Sequence, residues 1–388
     1  MYQSFFMNQG GDWVSWLVWI IFFMVFFLFY PRIMLSQIML KLESSAKRLE
    51  GYSSDSKSFI KSEISSRPDK RIKETVDRFF EFFVIEPVNM DPYGIVRKVD
   101  HVIRNERERF DYFVEQVAPK LGDEKKANLK MGMAGGIELH MIAKIVRHYV
   151  ELIKKTKSYQ IAMIIQMQLP LIERMAKALY KGTRTLARGE PIGDSIGPWM
   201  VSRLIGKEKA KVTEDEVALA SRTMEGRKVV LMKADGPGGK VGYPGKAVEK
   251  LIKKHKVNRI ITIDAAAKLE GEKTGSVAEG VGVAMGGPGV ERTYIENAAV
   301  KNSIPLDSII VKMSAEEAIQ PLRKSMLAAE KEVMEAVSRS LSRAKKGDHV
   351  LLVGVGNTSG VGNNAADAEK TSKWVARYEA SLRKKKKK

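Results

Sequence analysis

The sequence predicts an α/β fold: a mostly parallel sheet with flanking helices in the C-terminal half, preceded by an α-helical domain and one N-terminal transmembrane helix. Three observations carry this reading. Trp13 to Tyr30 is an 18-residue apolar run with one polar side chain, Ser15. From residue 33 to 190 strand signals are nearly absent, and apolar residues recur at helical spacing. Past Arg188 the chain becomes Gly-rich and short apolar runs alternate with helical stretches, the pattern of a parallel sheet.

At 1.5 Å per residue the first run covers about 27 Å, close to the thickness of a bilayer core. Trp13, Trp16 and Trp19 stand at one end and Tyr30 at the other, as an aromatic belt requires. A cleaved signal peptide fits poorly, since no Lys or Arg precedes the run and no small-residue cleavage site follows it. Arg32, Lys41, Lys47 and Arg48 come after it, so the positive-inside rule predicts a single-pass cell-membrane protein with its N-terminus outside and its bulk in the cytoplasm. The expected divisions are a short extracytoplasmic N-terminus over 1–12, the membrane helix over 13–30, a cytoplasmic helical domain over 31–188, an α/β domain over 189–382 and a basic disordered tail over 383–388.

Within the helical domain, Ile33 to Leu49 reads as an amphipathic helix and Gly51 to Ser58, rich in Ser, as a flexible turn. Pro68-Asp69 starts a helix through Phe83, and an Asp91-Pro92-Tyr93-Gly94 turn separates it from one over Ile95 to Phe113. Further helices are expected over Lys125 to Lys155 and Tyr159 to Tyr180. Glu138, His140 and His148 match no zinc spacing and read as surface residues of an amphipathic helix. Phe79, Phe80, Phe82 and Phe83 read as core or partner contacts.

In the α/β half, strands are expected over Arg227 to Ala234, Asn258 to Ala265, Leu306 to Met313 and Asp348 to Val355. Helices are expected over Pro244 to Lys254, from the Ser314-Ala315-Glu316-Glu317 cap to about Ala344, and from Asn363-Asn364 to about Leu382. Ligands in such sheets bind at the carboxyl ends of the strands. The loops there contain Gly236 and Gly238, Asp264, and the segment Gly354 to Asn364, with Gly354, Gly356, Asn357, Gly360 and Asn363. That last loop follows a strand and precedes a helix, so phosphate cradling is one expectation. It lacks Gly-x-Gly-x-x-Gly spacing, and no Walker-type Gly-Lys-Ser/Thr exists in the chain.

Composition narrows the chemistry. The chain has 388 residues, no cysteine and five histidines, which excludes disulfides, thiolate zinc, iron–sulfur centres and a cysteine nucleophile. With 44% hydrophobic residues it can bury a core. The net charge of +20 suggests either anionic partners such as nucleic acid or acidic lipid or simply a solvated basic surface, and the unbroken run Arg383 to Lys388 concentrates part of it. Anionic lipid or RNA is therefore an expected partner of Lys384–Lys388, beside the bilayer itself.

Three motifs suggest a relationship. They are the turn Gly193-Asp194-Ser195-Ile196-Gly197-Pro198, the strand Ile260-Ile261-Thr262-Ile263-Asp264-Ala265, and the strand end Gly354-Val355-Gly356-Asn357. Together they resemble motifs of the hydrogenase-maturation endopeptidases and the bacterial spore germination protease, in a different order that a circular permutation would produce. The whole chain also resembles an archaeal membrane-anchored family of unknown function, which implies no activity. The protease resemblance implies a peptidase-like hydrolase acting on a protein substrate through Asp194 and Asp264, one as general base and the other as general acid. Alternatively the pair binds a divalent metal, with Asp235 as third ligand. No histidine matches the metal-sensing residue of the maturation enzymes. The purely structural alternative is that Asp194 caps a helix and Asp264 caps a strand end. Outside catalysis, two readings stand: a membrane scaffold binding anionic lipid, RNA or ribosomes, and a nucleotide- or phosphate-binding regulator using the 354–364 loop; Gly193 and Gly197 are further ligand-loop candidates.

Overall fold

A computed structural model describes residues 12–85, 87, 94–287 and 289–386. The chain divides into two compact units. One holds the chain up to Gly51 together with Met141–Arg174; the other holds Tyr52–His140 and Met175–Lys388.

The first unit is helical. Helix α1 (Asp12–Ile64) carries the apolar run, and the described side chains from Trp13 to Tyr30 are exposed. It is the one described helix long and apolar enough to cross a membrane, with a mean hydropathy of 2.2 over its best 18-residue window. Below that run the pattern becomes amphipathic, with Ile38, Leu42, Ala46 and Leu49 buried at spacings of four, four and three. Ion pairs join this part of α1 to the far end of a long hairpin of helices, whose members are given next. Arg147 donates to Glu50 at 2.6 and 2.9 Å and to Glu43 at 2.8 Å, and Arg48 pairs with Glu173 at 2.6 Å.

The second unit begins with the rest of α1, followed by α2 (Lys70–Phe79), α3 (Ile95–Val117), α4 (Asp123–Thr156) and α5 (Tyr159–Ala187). Helices α4 and α5 contribute Met141–Thr156 and Tyr159–Arg174 to the first unit. The expected Ser-rich turn over Gly51–Ser58 is instead continuous helix. Ser53 and Ser56 are buried on its inner face, where small side chains let helices approach closely, and Ser53 Oγ lies 2.9 Å from His140 Nδ1. His140 is thus an interhelical link and not a surface residue; its Nε2 sits 2.8 Å from Glu81 Oε1. The helical core is aromatic: Phe59, Phe80, Phe110 and Phe113 are buried, and Phe79 stacks on Phe113 at 4.0 Å between centroids. The turn expected at Asp91-Pro92-Tyr93 lies outside the described residues.

The α/β part opens with a single 3₁₀ turn (Gly193–Ser195) leading into α6 (Ile196–Ile205). Then come β1 (Lys211–Val212), β2 (Val217–Met224), β3 (Arg227–Ala234), α7 (Pro244–Lys254), β4 (Val257–Ala267), β5 (Val277–Val281), α8 (Val290–Lys301) and β6 (Leu306–Met313). The chain ends with α9 (Ala315–Ile319), α10 (Lys324–Leu327), α11 (Glu330–Ser342), β7 (His349–Gly354) and α12 (Ala365–Lys386). The strand order is β1-β2-β3-β7-β4-β6-β5. Strands β3, β7, β4 and β6 are mutually parallel, while β1, β2 and β5 add antiparallel edges. Alternating strand residues serve two cores. Val350 and Leu352 pack with α6, α11 and α12; Leu351 and Val353 pack with α7 and α8. The result is a sheet between two helical layers.

The helical stretch expected from Ser314 to Ala344 is broken into three pieces. Ser314 forms the expected capping box with Glu317, but Pro321 pairs with Ile192 in an isolated bridge and stops the helix. Residues 383–386 of the segment expected to be disordered continue α12; Lys387 and Lys388 lie outside the described residues.

Candidate functional site

Strand β7 sits between β3 and β4. The connections leaving β3 and β4 pack one sheet face with α7 and α8, whereas β7 leads to α12 on the other. Chains that depart to opposite faces leave a crevice at the carboxyl ends of the strands. A cavity of about 390 Å³ opens there, lined by Asp194, Asp264 and Gly354–Gly356 among others.

Asp264 arrives on β4, whose Ile263 is paired with Gly354 of β7, so the carboxylate stands level with the β7 exit. Asp194 arrives on the 3₁₀ turn, which is pinned by the Gly193 N–H donating to the Gln320 carbonyl at 2.9 Å. Glycines allow the two parts to close. A Cβ on Gly356 (φ +128°) would lie 2.0 Å from the Asp194 carbonyl oxygen, and one on Gly197 would lie 2.2 Å from that of Val355. Either contact would push the turn and the β7 exit apart.

Neither aspartate serves as a helix cap. The residue flanking α6, Ser195, makes no side-chain cap, and Asp194 Oδ2 instead accepts from the Asn357 N–H at 2.7 Å. Asp264 is 3% exposed, and its Oδ1 accepts from the neighbouring Ala265 N–H at 2.6 Å. Burial raises both pKa values. For Asp264 the charge of Asp194 adds to the burial and the pKa lies well above the carboxylate range. For Asp194 the Asn357 N–H partly offsets it. Two buried carboxylates whose charges act on one another titrate as a coupled pair.

The opposite wall comes from α3, through Asp100, Ile103, Glu106 and Arg107, and from the N-termini of α7 and α8. Arg107 supplies a cation, donating to the Gly242 carbonyl at 3.2 Å and lying 4.4 Å over the Tyr243 ring. Glu291 accepts from the Gly245 N–H at 2.6 Å, and burial raises its pKa to about 7. Glu106 is also raised by burial. None of these wall residues was among the sequence candidates; an acidic residue two positions into a helix has many ordinary uses.

Asp235 does not join the pair. Its Oδ2 accepts from Lys240 Nζ and its Oδ1 from Asn363 Nδ2, both at 2.8 Å. Burial works to raise its pKa, but these bonds outweigh it and the pKa falls. Among the described residues no group of three or more histidines and carboxylates could hold a metal ion. The expected three-aspartate metal site therefore does not fit this arrangement.

The middle of the 354–364 loop offers no free amides for a phosphate cradle, for a definite reason. Every amide from Asn357 to Val361 already donates within the protein: to Asp194, to the Lys240 carbonyl, to Asn357 Oδ1, to the Pro237 carbonyl and to the Thr358 carbonyl. Gly354 and Gly356 line the cavity, whereas Gly193, Gly236, Gly238 and Gly360 permit close packing elsewhere. Asn363 Oδ1 accepts from the Gly236 N–H and from Lys233 Nζ at 2.6 Å. Lys233, only 1% exposed, has its pKa lowered to about 7 by burial against the pull of Asp235 and Asp367. A lysine inside the apolar strand RKVVLMKA was the one signal of this second buried group.

Two family models cover most of the chain. Residues 16–189 match the protein of unknown function (DUF1512) N-terminal domain, and residues 192–362 match the DUF1512 C-terminal domain of unknown function. The chain belongs to the DUF1512 family. No curated protein matches it. Asp194, Asp264 and Gly354–Gly356 fall in the DUF1512 C-terminal match, and the α3 wall falls in the N-terminal one, so the cavity draws on both.

Proposed function

We propose that this DUF1512 chain is a membrane-tethered hydrolase of peptide bonds, with Asp194 and Asp264 sharing a proton. The observation that carries this reading is the convergence of two carboxylates, from distant parts of the chain, on one cavity at the strand ends. The apolar start of α1 is the tether, with the bulk of the chain on the cytoplasmic side.

Ionised Asp194 accepts a proton from water as that water attacks the substrate carbonyl carbon. Protonated Asp264 hydrogen-bonds the carbonyl oxygen where negative charge develops. The proton gained by Asp194 then passes to the leaving nitrogen, and the C–N bond breaks. The Asn357 N–H favours the ionised form of Asp194, and burial keeps Asp264 neutral, so the environments separate the two roles. The apolar side chains of Ile103, Val241, Met285 and Val355 give the cavity a non-polar lining suited to hydrophobic side chains of a substrate.

The test is cleavage of a diverse peptide mixture by the detergent-solubilised full chain, compared with Asp194→Asn and Asp264→Asn. Each variant is expected to lose activity by about 10²–10⁴-fold, the usual contribution of a general acid or base. Cleavage that persists unchanged in both folded variants would refute the proposal.

A further inference from the structure

The first unit carries a groove that the hydrolase reading does not use. It is about 940 Å³ and runs along α1 from Arg32 to Glu43, facing the turn between α4 and α5. Arg32, Lys154 and Lys157 supply charge; Leu35, Leu40 and Ile153 supply apolar wall. We propose that this groove binds an anionic phospholipid, with the phosphate held by Arg32 and Lys157 and the upper part of the acyl chains against Leu35 and Leu40.

Three features select this occupant. Arg32 is the first charged residue after the apolar run, so it lies at headgroup level if α1 spans a bilayer. Because Lys157 and Tyr159 line the same groove, the α4–α5 turn lies at that level too, and a tyrosine there suits the interface. The charges also complement a phosphate. Arg32 and Lys157 have no ion pair among the described residues, whereas the one acid in the groove, Glu43, is already held by Arg147 and Lys154. Exposed apolar side chains beside unpaired cations match a lipid better than a free anion, which has no use for Leu40 at 75% exposure.

This inference rests on the membrane part of the reading above and not on the aspartate chemistry. The experiment is native mass spectrometry of the full chain in detergent, titrated with phosphatidylglycerol or phosphatidylcholine. Wild type is expected to retain phosphatidylglycerol preferentially, and Arg32→Gln/Lys157→Gln to lose that preference by about tenfold. Arg32→Lys/Lys157→Arg keeps both charges and is expected to keep it, which separates charge from misfolding. Equal retention of the two lipids by wild type, an unchanged preference in the neutralised variant, or equally good displacement by glycerol phosphate would overturn the proposal. Alkaline carbonate extraction tests the span alone. If wild type is released, the anchor is refuted, and the lipid site then survives only if the charge-dependent preference remains.

Discussion

The backbone N–H of Asn357 donates to Oδ2 of Asp194 at 2.7 Å, across 163 positions of sequence. This bond fixes the turn that carries one acid to the exit of the strand beside the other. It also favours the charged form of Asp194 against the burial that raises its pKa.

A carboxyl kept neutral by its surroundings makes stability fall with pH. Asp264 has a folded pKa raised far above its unfolded one, so its contribution is fully present below about pH 4 and is lost as pH rises through the folded value. Asp264→Asn removes that loss. In urea titrations the variant is expected to be more stable than wild type at pH 8, with the gap closing toward pH 4. A gap independent of pH would show that Asp264 ionises freely in the folded chain.

Glu291 and Lys233 predict two windows of opposite sign. Glu291 rises from 4.5 to about 7, so stability is lost across that interval, by up to about 3 kcal/mol at 1.36 kcal/mol per unit. Lys233 falls from 10.5 to about 7, so the unfolded chain binds more protons between these values and stability rises across them, by up to about 5 kcal/mol. Glu291→Gln should flatten the first limb and Lys233→Met the second. Unfolding free energies measured from pH 4 to 10 read both.

Gly356 has no room for a side chain. Gly356→Ala would set a Cβ 2.0 Å from the Asp194 carbonyl oxygen at a φ of +128°, which L-residues rarely adopt. The expected cost is about 3 kcal/mol or more, from overpacking and backbone strain together. Calorimetry checks the stability, and peptide cleavage is expected to fall with it as the two acids separate.

Arg147 holds the amphipathic part of α1 through Glu43 and Glu50. Hydrogen bonds from Arg147 and then Lys154 lower the Glu43 pKa to about 2, so this stabilisation is present above about pH 4.5 and is lost as pH falls toward 2. Arg147→Ala is expected to cost about 1–3 kcal/mol at pH 7, the range for charged hydrogen bonds that are partly exposed. The difference from wild type should shrink on acidification, as circular dichroism at 222 nm would follow.

Much of the sheet is legible in the amino-acid sequence because its central strands are continuous apolar runs. RKVVLMKA marks β3 to the residue, DSIIVKM marks β6 to within one, and Pro at the first turn marks α7. The antiparallel strands β2 and β5 are not legible. VALASRTM is half exposed, and VAEGV holds a glycine and packs mainly through one partner, so neither shows an apolar run. Gly51–Ser58 misleads for the opposite reason: serines that look like a loop are the small residues of a helix interface. At the site, Asp194 and Asp264 are visible as motifs, since turn chemistry is local. The separation of Asp235 and the internal use of the 357–361 amides are not, because Asp235 is held by Asn363, 128 positions away, and the amides by Lys240 and Pro237, more than a hundred positions from that loop.

The central place of β7 has a consequence for biosynthesis. Strands β3 and β4 leave the ribosome long before β7, and the sheet offers them no lasting neighbour on their facing sides until it arrives. The nascent chain would therefore carry two open apolar strand edges while residues 268–348 are added, a state prone to mispairing. Asn357, which completes the acid pair, emerges a few residues after β7. The proposed acid pair is therefore incomplete until the last strand closes the sheet, and a chain interrupted before β7 would lack the strand exit that lines the cavity.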